Sequence, residues 1–207
     1  MILNQHGISA LPVGSDNSAL IGGRVYPTVK IGNQVWIAEN LDYKYDGLDI
    51  GKGSSDSQIR ANYYNNDEST YGVNGTKYGL LYNWPAVDYL NNFRATLMPG
   101  WHVPSRNEWL ALYDAVGGVN NAATKLKSAT GWDTGNGDGS TAFNALPAGR
   151  QDSGNYGDAG TKTIFWTATD GGNNTGYAEM FFATLTSVID TTSWRGYGYS
   201  VRLVKDA

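Results

Sequence analysis

The chain has 207 residues, a formal net charge of -4, a pI near 5.0 and no cysteine. Disulfides, thiolate metal sites, cysteine nucleophiles and redox switching are thereby excluded, and scattered Lys and Arg leave no basic stripe for nucleic-acid phosphates. No apolar run approaches the ~20 residues that cross a bilayer, so no membrane insertion is expected, and the length suits one domain able to bury roughly 70% of its extended surface.

The 27 Gly imply many tight turns, some with positive φ. The 14 Tyr and 7 Trp can fill a core between short strands or supply rigid contact area at low entropic cost. "MILNQHGISALPV" lacks a basic start and has a broken apolar stretch, so no signal peptide is expected. Residues 1–24, with "PVGSDNSALIGG", are rich in turn formers and show neither helical nor strand period. They are expected to be an arm or attachment segment, or a terminus without fixed structure.

"RVYPTVKIGNQVWIAENL" predicts two short strands. Val29, Ile31, Val35 and Ile37 alternate with polar residues about a turn at Gly32 and Asn33. Residues 43–80 form a long polar insertion with little periodicity, and loops of that length usually carry function or move. "PSRNEWLALYDAVGG" is the clearest helix. Ser105 is its N-cap, Glu108 completes a capping box, Trp109, Leu112, Tyr113 and Val116 recur at helical spacing, and Gly117 and Gly118 stop it. "NNAATKLKSATG" predicts a second helix capped by Asn120 or Asn121, with Leu126 inward. Short strands and turns follow, ending in an alternating run from Tyr197 to Val204, which implies an α+β fold with two helices.

The motifs "TVKIGNQVWIAENL", "YGLLYNWPAV", "GWHVPSRNEWLALYDAVGG", "FNALPAGRQ" and "YGYSVRLVKD" occur in this order. Together they resemble the Fibrobacter succinogenes major paralogous domain, with Trp101, Pro104, Glu108 and Trp109 in its W-x-x-P-x-x-x-E-W signature. The resemblance covers about residues 25–206. It implies a C-type lectin-like fold of the formylglycine-generating-enzyme branch, with short twisted antiparallel sheets. The expected division is an arm over 1–24 and a C-type lectin-like ligand-binding domain over 25–207.

The ending "FWTAT…GYGYSVRLV" is similar to variable proteins of diversity-generating retroelements, whose C-terminal codons are mutagenised at adenines. A mutagenised AAC codon reaches Asn, Asp, Ser, Thr, Gly and Tyr but not Lys or Gln, and residues 163–204 contain no Lys and no Gln. This resemblance implies a phage tail-tip adhesin, or a bacterial cell-surface binding protein of the same fold. Expected partners are a cell-surface protein or glycan receptor, tail-fibre proteins through the arm, and further copies in a homo-oligomer. The expected location is the virion or the cell surface.

Catalysis is not expected. Formylglycine-type oxidation needs cysteines, and a facial iron site needs more than His6 and His102. There is no G-x-S-x-G elbow, and His102 reads as a structural residue. The stretch "DTGNGDGST" is an incomplete calcium loop with Ala145 at its twelfth position; a Gly-rich turn is the favoured reading and a low-affinity structural calcium site the alternative, and no catalytic metal and no cofactor are expected. An enzyme of the formylglycine fold group is the least favoured alternative.

The stretch 170–197 combines small polar residues with rigid aromatics, as binding loops do. "YAEMFFATLTSV" predicts a strand with Tyr177, Glu179, Phe181, Ala183 and Leu185 on one face. Expected contacts are Asp170, Asn173, Asn174, Tyr177, Asp190, Thr192, Trp194, Arg195 and Tyr197. The same composition also fits a surface hairpin whose aromatics cover the core, and the resemblance favours binding. Arg202 is expected to pair with Glu108.

Overall fold

A computed structural model describes residues 17–51, 53–72 and 78–207. Strands β1 (Ser18–Ile21), β2 (Arg24–Ile31) and β3 (Gln34–Ile37) form a meander. The polar insertion holds β4 (Asp49–Ile50), β5 (Arg60–Asn62) and the short helix α1 (Glu68–Tyr71). Then come β6 (Leu81–Tyr82), α2 (Trp84–Asn92), α3 (Arg94–Leu97), β7 (Trp101–His102), α4 (Arg106–Ala115) and α5 (Val119–Leu126). The C-terminal part supplies β8 (Ala148–Asp152), β9 (Asn155–Ala159), β10 (Lys162–Gly172), β11 (Thr175–Phe182), β12 (Ile189–Trp194) and β13 (Val204–Lys205). The strands make sheets of order β1-β2-β3-β13-β7, β12-β11-β10-β8-β9 and β4-β5-β6. This is the mixed α+β architecture expected of a C-type lectin-like fold. Most pairings are antiparallel, but β4–β5 and β8–β10 are parallel, a departure from the all-antiparallel expectation.

Local chemistry explains several elements. Ser105 Oγ accepts from the Glu108 N–H while Glu108 Oε2 accepts from the Ser105 N–H at 2.7 Å, so the predicted capping box opens α4. The predicted turn at Gly32 and Asn33 joins Ile31 to Gln34 in register. The second predicted helix forms with Leu126 buried, but its N-cap is Gly118, and Asn120 and Asn121 lie inside it. A third substantial helix, α2, was not expected. Asn83 caps it by accepting from the Ala86 N–H at 3.1 Å, and proline stands in its first turn.

The arm expectation is corrected at its C-terminal end. Residues 1–16 lie outside the described residues, but β1 pairs along β2 with Ala19 and Ile21 buried. A four-residue strand is too short to show its period in a turn-rich context. The final strand is also shorter than expected. Residues 198–200 make isolated bridges to Gln151, Tyr82 and Phe165, and regular pairing begins at Val204, opposite Trp36 and His102.

Two aromatic cores lie on either side of β10. Ile164 and Trp166 point into a cluster with Tyr26, Tyr82 and Tyr199, while Phe165 points into one with Trp36, Trp109 and Phe181. Phe165 meets Phe181 edge-on at 5.7 Å, and Trp36 meets Trp109 at 4.9 Å. Arg202 does not pair with Glu108. It is fully buried between Phe143 and Phe165, with its ring contacts at 4.5 and 5.6 Å. Its guanidinium donates to Asn40 Oδ1 and to the carbonyls of Ile37, Phe143 and Asn144. Glu108 is engaged by His102 instead.

Candidate binding surface

The β10–β11 hairpin closes at Asn173 and Asn174, which have φ of 47° and 61° between the paired residues Gly172 and Thr175. Two consecutive positive φ values define the tight turn that matches strand twist, and asparagine tolerates them. Register shifts before it bring Asp170 opposite Gly176. Asp170 Oδ1 accepts from Arg195 Nη2 at 2.5 Å and from the Gly172 N–H at 2.7 Å. These two donors, Arg195 first, hold the Asp170 carboxyl below its ordinary range.

Arg195 also donates from Nε to the Thr175 carbonyl at 3.2 Å and stacks 4.2 Å from the Trp84 ring. Asn174 Nδ2 donates to Asp56 at 2.8 Å, which brings the polar insertion to the hairpin tip. Trp194 lies opposite Thr175 in register and meets Tyr197 at 5.4 Å and 81°. A Cβ at Gly196 would lie 2.2 Å from the Trp194 ring, so glycine is what lets that ring lie on the backbone.

A second group faces α4. Tyr177 is opposite Thr192, and Glu179 is opposite Asp190, so all four project from one face of the β11–β12 pair. Arg106, the first residue of α4, binds Asp190 Oδ2 through Nε at 2.6 Å and Nη2 at 2.5 Å. Its guanidinium lies 4.9 Å from the Tyr177 ring centroid.

The nine expected contacts thus divide. Asp170, Asn173, Asn174, Trp194, Arg195 and Tyr197 gather at the hairpin end, and Tyr177, Asp190 and Thr192 lie on the α4 side. Asp170, Asn173, Asn174 and Thr192 are exposed, while Tyr177, Asp190, Trp194, Arg195 and Tyr197 are half-buried. One detail of the sequence reading is corrected. The strand from Tyr177 ends at Phe182, where Lys127 Nζ donates to the carbonyls of Phe182, Ala183 and Leu185, each at 3.2 Å. β11 contributes to both cores: Gly176, Ala178, Glu179 and Phe181 are buried, because the two cores lie on its opposite sides.

Sequence reasoning missed Arg106, Trp84 and Asp56. Trp84 carried a signal in Asn83-Trp84-Pro85, a capped helix start. Nothing local joined Arg106 to Asp190, 84 positions away.

Away from this surface, His102 donates toward Glu108 at 2.7 Å through Nε2 and toward Asp206 at 2.6 Å through Nδ1, beside a cleft of 740 Å³. Serving two carboxylates at once requires the imidazolium, and the Glu108 contact is the main reason the His102 pKa is raised. The calcium-like stretch is tied internally: Asn136 accepts from the Trp132 N–H, and Asp138 accepts from Lys125 Nζ and the Ser140 N–H. Among the described residues no group of three or more His, Asp or Glu side chains is placed to hold a metal ion, and no helix is long and apolar enough to cross a membrane.

Fold and surface together define an α+β scaffold with two aromatic cores that carries a polar, aromatic-edged hairpin on its C-terminal sheet. The Fibrobacter succinogenes major domain model matches residues 29–205, most of the sequence, and the chain belongs to that family. No curated protein and no solved structure matches it.

Proposed function

We propose that this protein recognises a macromolecular receptor on a cell surface, without catalysis, through the end of its C-terminal sheet. The observation that carries the reading is the β10–β11 tip. There, exposed Asn173, Asn174 and Asp170 stand beside half-buried Trp194, Arg195 and Tyr197, and the strands beneath are buried on both faces. Rigid aromatics and arginine amid adaptable polar side chains are the residue types that dominate binding energy. A scaffold held by its own core tolerates many sequences at such a tip.

In this reading the surface is diversified by a retroelement and the protein is a phage tail-tip adhesin. Its receptor is a cell-surface protein or glycan. It attaches to tail-fibre proteins through its N-terminal residues, and homo-oligomers multiply weak affinities. A cellular surface protein of the same family would use the same tip. A neighbouring reverse transcriptase gene, with a template repeat differing from this gene mainly at adenines, is the genomic signature of diversification, and without that repeat the diversification reading fails.

Binding is tested by incubating labelled protein with a panel of intact bacterial cells. The combined variant Tyr177→Ala, Trp194→Ala, Arg195→Ala, shown folded by circular dichroism, is expected to lose at least about tenfold in affinity for cells that the parent binds. Undiminished binding by that variant refutes the assignment of the surface.

A further inference from the structure

Glu179 stands on β11 with no exposed surface. Its Oε2 accepts from the Tyr113 hydroxyl at 2.8 Å, while its Oε1 is buried without a hydrogen-bond partner. Directly opposite on β12 is Asp190, whose Oδ2 is held by Arg106 and whose Oδ1 is likewise buried without a partner. Opposite residues of an antiparallel pair share a face with Cβ atoms about 5 Å apart. Two facing carboxylates thus each present an orphaned oxygen, and a buried unpaired acceptor is costly. A proton on one of the two removes the repulsion between them.

The surroundings say which group carries it. Asp190 has the Arg106 guanidinium against it, and its side chain is 19% exposed. Glu179 has a neutral phenol from α4, the apolar Phe165 opposite it on β10, and no exposed surface. The charged and titratable groups around Glu179 are therefore Tyr113 and Arg106 from α4 and Asp190 from β12. A carboxyl so placed retains its proton far more readily than one in water.

We propose that Glu179 holds a proton in the folded chain, and that its loss, opposite the Asp190 carboxylate, loosens β12 and makes the surface carried by that strand responsive to pH. β12 is the element that gives because it ends its sheet: β11 is its one ladder partner among the described residues, whereas β11 lies between β10 and β12. Ionising both groups sets two negative charges against a single guanidinium. Moving the edge strand toward water relieves them. Burial pushes the Glu179 carboxyl up to about 7, which places the transition near neutrality. The consequence for recognition rests on the function proposed above, but the proton on Glu179 does not.

The test needs no ligand. The Glu179 side-chain carboxyl is followed by carbon NMR between about pH 5 and 9, a range in which an ordinary Glu is already ionised. Amide hydrogen exchange in β12 is measured alongside, corrected for intrinsic rate, with the β10–β11 amides as internal reference. Titration near neutrality is expected, with protection of β12 falling roughly tenfold or more over the same range. Glu179→Gln and Asp190→Asn are each expected to flatten that change. A Glu179 carboxyl ionised throughout the range, unchanged β12 protection in the parent chain, or the same pH dependence in both variants overturns the proposal. If a variant does not fold, the parent titration still decides. A binding failure with a normal titration would count against the receptor reading alone.

Discussion

Arg202 Nε donates to Asn40 Oδ1 at 2.9 Å, a bond spanning 162 positions that ties the segment after β3 to the segment before β13. The other guanidinium donors reach three backbone carbonyls, so a cation is buried with no carboxylate among its hydrogen-bond partners. Removing it leaves those acceptors unpaired and opens a cavity between Phe143 and Phe165. Arg202→Ala is expected to cost at least about 3 kcal/mol, measured by urea denaturation. Arg202→Lys should rescue little, because an ammonium lacks the planar fork. Unchanged stability in the alanine variant would remove Arg202 from the account of the scaffold.

Lys127 acts similarly at a smaller scale. The residue is 3% exposed, and its ammonium gathers three carbonyls where β11 ends and lies 5.2 Å from the Trp132 ring centroid. Lys127→Met keeps the apolar stem and removes the donors, with an expected loss of about 2 kcal/mol in the same measurement. A neutral result would mean that water replaces the ammonium without cost.

The glycines beneath the hairpin separate packing from recognition. A Cβ on Gly176 would come within 2.1 Å of the Trp84 ring, and Gly176 is buried. Gly176→Ala should destabilise by roughly 1–3 kcal/mol and disturb the Arg195–Trp84 stack, seen as altered tryptophan fluorescence. Gly196→Ala displaces Trp194 at the periphery and should weaken cell binding with a smaller loss of melting temperature. Equal effects on both properties from both variants would contradict this division.

Stability should fall as pH rises from about 5 to 8. Glu179, ordinarily near 4.5, is pushed up to about 7, so its contribution is full below about 4.5 and is lost as pH climbs through about 7. That loss is of the order of 3 kcal/mol. His102 acts in the same direction: its raised pKa gives stability below its ordinary 6.5 that disappears as pH passes the folded value. On the acid side Asp158 and Glu108 work oppositely. Burial, the largest single effect, would raise both, but Arg150 and Lys162 together on Asp158, and His102 and Ser105 together on Glu108, outweigh it and lower them. Their contributions therefore vanish as pH falls through the folded values. Melting temperatures across this range, for the parent and Glu179→Gln, check the sign. A parent curve that rises with pH would be the wrong sign.

What the sequence by itself determined is the set of structures closed within a few residues. The Ser105–Glu108 box, the stop at Gly117 and Gly118, and the turn at Gly32 and Asn33 depend on caps and φ values that neighbouring side chains decide. The hairpin tip at Asn173 and Asn174 belongs to the same class, and so its polar character was legible. Tertiary structure decided the partners. Arg202 reached Asn40 rather than Glu108, Arg106 reached Asp190, and the strand from Tyr177 was buried on both faces, because two cores closed on either side of β10 and β11. A local cap is chosen by the chain around it, whereas the partner of a long side chain is chosen by which sheets pack together. That is why Tyr177 and Trp194, expected as contacts, stand half-buried at its edge.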